Sequence, residues 1–147
     1  MHPLLEGERR KNMKTSICTT QDQSSRLLKC GVPAESADMS IDTDTDKLYL
    51  GAYSERVDKV HEVPAWTLSR LLTLLPFKIH SGKYEYWLDV APINYGKQWS
   101  VGYYCIEKPR TIKGLTHNEN LIECAVQEIE WLSDNGYKLK GGTDGED

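Results

Sequence analysis

Between Tyr84 and Glu107 apolar and polar side chains alternate along two runs, separated by Asn94-Tyr95-Gly96-Lys97. A period of two is the signature of a half-buried strand, so the segment predicts a β-hairpin. With those residues as the turn, Ile93 opposes Gln98, and Val90, Leu88 and Tyr86 then face Val101, Tyr103 and Cys105. Together with Tyr84 and Trp99 they make a mainly apolar face, which is the expected core side. The opposite face sets Glu85, Trp87, Asp89 and Ala91 against Ile106, Tyr104, Gly102 and Ser100. Trp87 lies across from Tyr104, and Asp89 lies across from Gly102, which leaves open space beside the carboxylate. A slip of one residue would exchange the two faces, so this reading depends on register.

The helical patterns flank this ribbon. Thr20 is a good N-cap with Gln23 completing a capping box, and Gly31 and Pro33 supply a stop, so a helix is predicted from Gln21 to Cys30. Leu27 and Leu28, with Ala34, Ala37 and Met39 beyond, give it a modest apolar contact. Residues 47–54 alternate as a strand, with Leu48, Leu50 and Ala52 on one side and Tyr49 and Tyr53 on the other; 55–63 reads as a charged loop. Pro64 suits a first helical position, Leu68, Leu71, Leu72 and Leu75 form one stripe, and Pro76 ends that helix, with Trp66 expected in its first turn. Phe77 to His80 predicts a short strand, followed by a Ser81-Gly82 turn. A loop with Pro109 and Gly114 leads to a last helix, capped by Thr116 or Asn118. Its buried stripe is Ile122, Ala125, Val126, Ile129 and Leu132, and Asn135-Gly136 closes it. The expected fold is α+β: a small antiparallel sheet of three to four strands, centred on the 84–107 hairpin and packed against two or three helices.

At 147 residues the chain suits one domain. A chain of this size buries roughly 68–70% of its unfolded surface, enough for a core without disulfide or metal. Residues 1–12 show no period and read as a disordered or non-native leader, with Met13-Lys14 as the natural start. Residues 13–140 form the domain, and 141–147 read as a flexible acidic tail.

A net charge of −4 argues against a general nucleic-acid binder, which shows a basic excess. Acids concentrate from Glu35 to Asp46, and Lys108, Arg110 and Lys113 form the main basic concentration. Asp42-Thr43-Asp44-Thr45-Asp46 opens like a calcium loop, yet the glycine position holds Lys47 and the bidentate glutamate position holds Tyr53. An acidic turn leading into a strand is the better account. Cys18, Cys30, Cys105 and Cys124 include no CxxC, and the four histidines lack zinc spacing, so no metal or cofactor is expected. With no secretory pattern and no apolar run near the ~20 residues of a membrane span, the expectation is a cytoplasmic protein with reduced thiols. There is no phosphate-binding loop, nucleophile elbow or close carboxylate pair, so no catalytic residue is expected.

The outer face of the hairpin is the remaining candidate. Its first reading is an interface, probed through Trp87 and Tyr104, since exposed aromatics mark subunit contacts. Its second is a platform for a nucleotide-like ligand: the Trp87/Tyr104 pair for stacking, Asp89 beside the gap at Gly102, and Lys108, Arg110 and Lys113 for phosphate.

Two stretches carry a family likeness. One is Thr15-Ser16-Ile17-Cys18-Thr19-Thr20-Gln21-Asp22-Gln23-Ser24 with Leu27-Leu28, Gly31 and Ala37-Asp38-Met39. The other is Trp99-Ser100-Val101-Gly102-Tyr103-Tyr104, with Ala125-Val126, Glu130-Trp131-Leu132 and Asn135-Gly136-Tyr137. Over most of Met13 to Leu139 the chain resembles small uncharacterised accessory proteins of bacteriophages and integrative mobile elements. The resemblance implies a mobile-element origin and a small accessory protein, and it supplies no activity and no site residues. The functional expectation is therefore a non-enzymatic binding protein that self-associates or occupies a host protein. The alternative is a pocket that sequesters a nucleotide-like ligand, and an enzyme ranks third.

Overall fold

The computed structural model describes residues 17–56, 60–108 and 111–140. The leader expected over 1–12, the tail expected over 141–147 and Arg110 lie outside these residues. Within them the chain is an α+β fold with two antiparallel sheets. The larger sheet has four strands in the order β4-β5-β6-β7: β4 (Lys78–Ser81), β5 (Tyr84–Ile93), β6 (Gln98–Cys105) and β7 (Ile112–Asn118). The β5–β6 register is the one alternation predicts, from Tyr86 opposite Cys105 to Ile93 opposite Gln98. Asn94 and Gly96 take positive φ, and the amides of Gly96 and Lys97 close the turn on the carbonyls of Ile93 and Asn94.

Helix α1 (Gln21–Lys29) starts at the expected capping box, with the Thr20 side chain and the Gln23 side chain satisfying each other's backbone N–H. Helix α2 spans Leu68–Leu74 and α3 spans Leu121–Asp134. The long helix α3 lies across β6 and β7, and both shorter helices pack against it. Ile122, Ala125, Val126, Ile129 and Leu132 are all buried, and they meet Val101, Tyr103 and Cys105 from the sheet.

Several local expectations need correction. The strand over 47–54 shortens to β2 (Leu48–Leu50), followed by a 3-10 turn at Tyr53–Glu55. The loop over 55–63 runs into a strand, β3 (Glu62–Ala65), that pairs with β1 (Met39–Asp42) in a second sheet ordered β2-β1-β3. Pro64 therefore sits in an edge strand opposite Ser40, where its missing N–H breaks no ladder, and it does not open a helix. The true cap of α2 is Thr67, whose hydroxyl accepts from the Arg70 amide while Asp38 accepts from the Thr67 amide at 2.9 Å. Trp66 consequently precedes the helix; it is fully buried, with its indole N–H donating to Ser36 Oγ at 2.9 Å.

The last correction bears on the site. The loop expected around Gly114 is strand β7, and α3 is capped by Asn120, not by Thr116 or Asn118, which belong to β7. Val101 pairs with Thr116 and Tyr103 with Lys113, so Gly114 and Leu115 together oppose Gly102. This is a bulge with two residues against one, and its first residue needs the left-handed conformation that glycine adopts readily: φ is +62° at Gly114. A side chain there is excluded twice over, because a Cβ would stand 2.6 Å from the Trp131 ring.

Candidate functional site

The sheet has one sealed face and one open face. Inward, Tyr86, Val101, Tyr103 and Cys105 are buried in the cluster that holds the apolar stripe of α3. Outward, Trp87 stands opposite Tyr104, and Tyr104 stands opposite Ile112. Tyr104 (38%), Ile112 (45%), Leu115 (55%) and Ile106 (62%) are exposed together on or beside this face. Trp87 is half-buried: the Phe77 ring lies 5.8 Å from it at 39°, and Lys78 Nζ sits 5.5 Å over it. The rim is mixed in sign. Glu85 accepts from Lys78 at 3.5 Å and meets His80 Nε2 at 3.1 Å, and these two neighbours hold its carboxyl below the ordinary range.

The predicted residues do not all come together. Asp89 does oppose Gly102 and is exposed, but the open space expected beside it is filled. A Cβ on Gly102 would meet Ile112 Cγ2 at 3.1 Å and the Leu115 backbone at 3.3 Å, since the bulge in β7 folds over that position. Of the basic residues, Lys108 and Lys113 lie elsewhere. Lys113 pairs with Tyr103 and so shares the inner side, with its ammonium 5.5 Å over the Tyr86 ring. Lys108 Nζ stands 5.8 Å over Tyr84, a ring it shares with Lys83 at 5.4 Å. Tyr84 and Tyr86 belong to the face opposite Trp87, so the sheet itself separates these lysines from the aromatic pair. The physical cause is the period of two: a strand at β7 assigns Lys113 a side, and a loop would not have.

Sequence reasoning missed Glu128. It lies on α3, is fully buried, and among the described residues neither carboxyl oxygen has a hydrogen-bond partner. Burial pushes its pKa up to about 9, so it is protonated at neutral pH. Gly114, Trp131 and Tyr103 surround it; a Cβ at Gly114 would come within 2.8 Å of its Oε2. The available signal was its position one residue before Ile129, inside an otherwise apolar run from Cys124 to Ile129 broken only by Gln127 and Glu128.

Among the described residues no cluster of His, Cys, Asp or Glu has the arrangement of a metal site. Cys18, Cys105 and Cys124 are buried, and burial raises the Cys18 thiol to about 11, away from thiolate chemistry. Asp42 serves its own turn, accepting from the amides of Asp44 and Thr45 at 2.9 and 3.0 Å. Compared with protein-family models, curated proteins and solved structures, the chain gives no match in any of the three.

Proposed function

We propose that the protein is a non-enzymatic interaction module that self-associates through the open face of its four-stranded sheet. The observation that supports this reading is the run of exposed Tyr104, Ile106, Ile112 and Leu115 beside Trp87, on the side away from the helices. Contiguous exposed apolar surface of this kind marks a binding site. A second copy is the fitting occupant because a two-fold contact requires a patch complementary to itself. This rim carries both signs, with Lys78 and His80 close to Glu85 and Asp89 further along β5, so one copy can turn against another without setting like charges together. In this reading the chain is an accessory protein of the mobile-element type, working in a host cytoplasm. Among the described residues no helix is long and apolar enough to cross a membrane.

The nucleotide alternative needs Trp87, Tyr104 and the lysines in one place. Their placement on opposite faces of the sheet, with the gap at Gly102 closed, leaves it without a shared pocket.

Light scattering at about 100 µM protein tests the proposal, a concentration that detects dissociation constants in the micromolar range. The wild type is expected to be a dimer, and Trp87→Ala or Ile112→Glu to be monomeric with unchanged far-UV circular dichroism. A monomeric wild type, or variants that assemble normally, would overturn it.

A further inference from the structure

A concave feature lies along the edge of β4 that faces away from β5. The segment Tyr137 to Lys140, beyond the end of α3, runs beside Pro76, Phe77, Lys78 and Ile79 and leaves a cleft of about 430 Å³ between them. That volume is in the range that holds a small organic ligand. Both walls are anchored. The Lys140 amide donates to the Leu74 carbonyl at 2.8 Å, and the Tyr137 amide donates to the Leu132 carbonyl at 2.9 Å. Tyr137 also stacks on Trp131 at 5.5 Å, and Tyr103 donates its hydroxyl to the Pro76 carbonyl at 2.7 Å. The cleft is therefore preformed, which lowers the ordering cost of binding.

The lining has two characters. Pro76, Phe77, Ile79, Tyr137 and Leu139 make it mainly apolar. Three lysines, Lys78, Lys138 and Lys140, line it; Lys140 Nζ is 5.5 Å over Phe77, and Lys78 Nζ, 5.5 Å over Trp87, also pairs with Glu85 at 3.5 Å. The backbone adds a donor. The Leu88 amide bonds the Phe77 carbonyl, so by the alternation of antiparallel pairing the Lys78 N–H turns away from β5, on the open edge. An apolar slot rimmed by lysines, with a strand amide turned away from β5, suits a ligand with an apolar body and one anionic head.

We propose that this cleft binds a small amphipathic carboxylate, with its hydrocarbon or aryl body between Phe77, Ile79 and Leu139 and its carboxylate toward Lys140 and the Lys78 amide. Phe77 and Lys78 border the Trp87 face as well as the cleft, whereas Leu139 and Lys140 belong to the cleft side, so variants at 139 and 140 separate this assignment from self-association.

The test is a titration of the full chain with octanoate, followed by amide NMR, with octylammonium as the charge-reversed probe. Octanoate is expected to shift the amides of Lys78, Ile79 and Leu139 with a Kd below about 1 mM. Leu139→Trp fills the slot and should weaken binding about tenfold or more. Lys140→Glu should weaken octanoate and strengthen octylammonium. Absence of shifts at about 5 mM octanoate, equal binding of the two probes, or undiminished binding by Leu139→Trp would each overturn the proposal. Light scattering of the same variants separates the two claims: dimers that no longer bind octanoate implicate the cleft alone, and Ile112→Glu should bind octanoate as the wild type does.

Discussion

Glu128 shows how one side chain can set the pH response of the fold. Its ordinary pKa is 4.5, and in the folded chain burial raises it to about 9. The folded state therefore holds this proton more tightly than the unfolded state does. Stability from this group is fully present below about pH 4.5, declines as pH rises toward 9, and levels off above it. The slope approaches about 1.4 kcal/mol per pH unit. Between about pH 6 and about pH 8 the wild type should lose roughly 2–3 kcal/mol relative to Glu128→Gln, read from urea midpoints. An unchanged difference across that interval would show that the carboxyl is not held neutral. Gly114 tests the same packing from the sheet side. Gly114→Ala meets both positive φ and the Trp131 ring at 2.6 Å, whereas Gly82→Ala meets positive φ with no atom within 4 Å. The first should cost about 2–4 kcal/mol and the second about 1 kcal/mol, so thermal unfolding of the pair separates clash from conformation.

At the scale of elements, the join between α1 and α3 is electrostatic as well as apolar. Arg26 donates to Glu123 at 3.0 Å and to Glu130 at 2.7 and 3.0 Å, and Gln23 adds a bond to Glu123 at 2.8 Å. Burial opposes ionisation of Glu123, yet these partners hold its pKa below the usual value. The groups are about a fifth to a third exposed, so solvent screens them. A double-mutant cycle of Arg26→Ala and Glu123→Ala should give a coupling energy of about 1 kcal/mol, falling with salt. Thr20 and Gln23 could be read as a helix start because a capping box is local chemistry: two residues satisfy each other's backbone donors whatever lies beyond. Pro64 gives no such unique reading, since its preference for a helix start and its tolerance at a strand edge are equally local. Only the pairing of β3 with β1 decides between them.

For the whole molecule, the two sheets differ in their claim on the core. The four-stranded sheet shares one apolar cluster with all three helices, whereas Cys18, Met39, Ile41 and Ala65 form a separate small cluster behind the β1 sheet. Amides of Val101 and Tyr103 in β6 should then exchange slowest, near the global unfolding limit, and those of β2 orders of magnitude faster. Equal protection in the two sheets would indicate a single cooperative unit. The hairpin register, the apolar stripe of α3 and the capping of α1 follow from the sequence alone, since each rests on a period or on neighbours within a few residues. The side taken by Lys113, the closed gap at Gly102 and the burial of Glu128 do not. Each arises where β7 lies beside β6 and under α3, and contacts between residues distant along the chain leave no periodic trace in it. The sequence therefore determined which face of the ribbon is apolar, and the tertiary structure decided what stands beside the other.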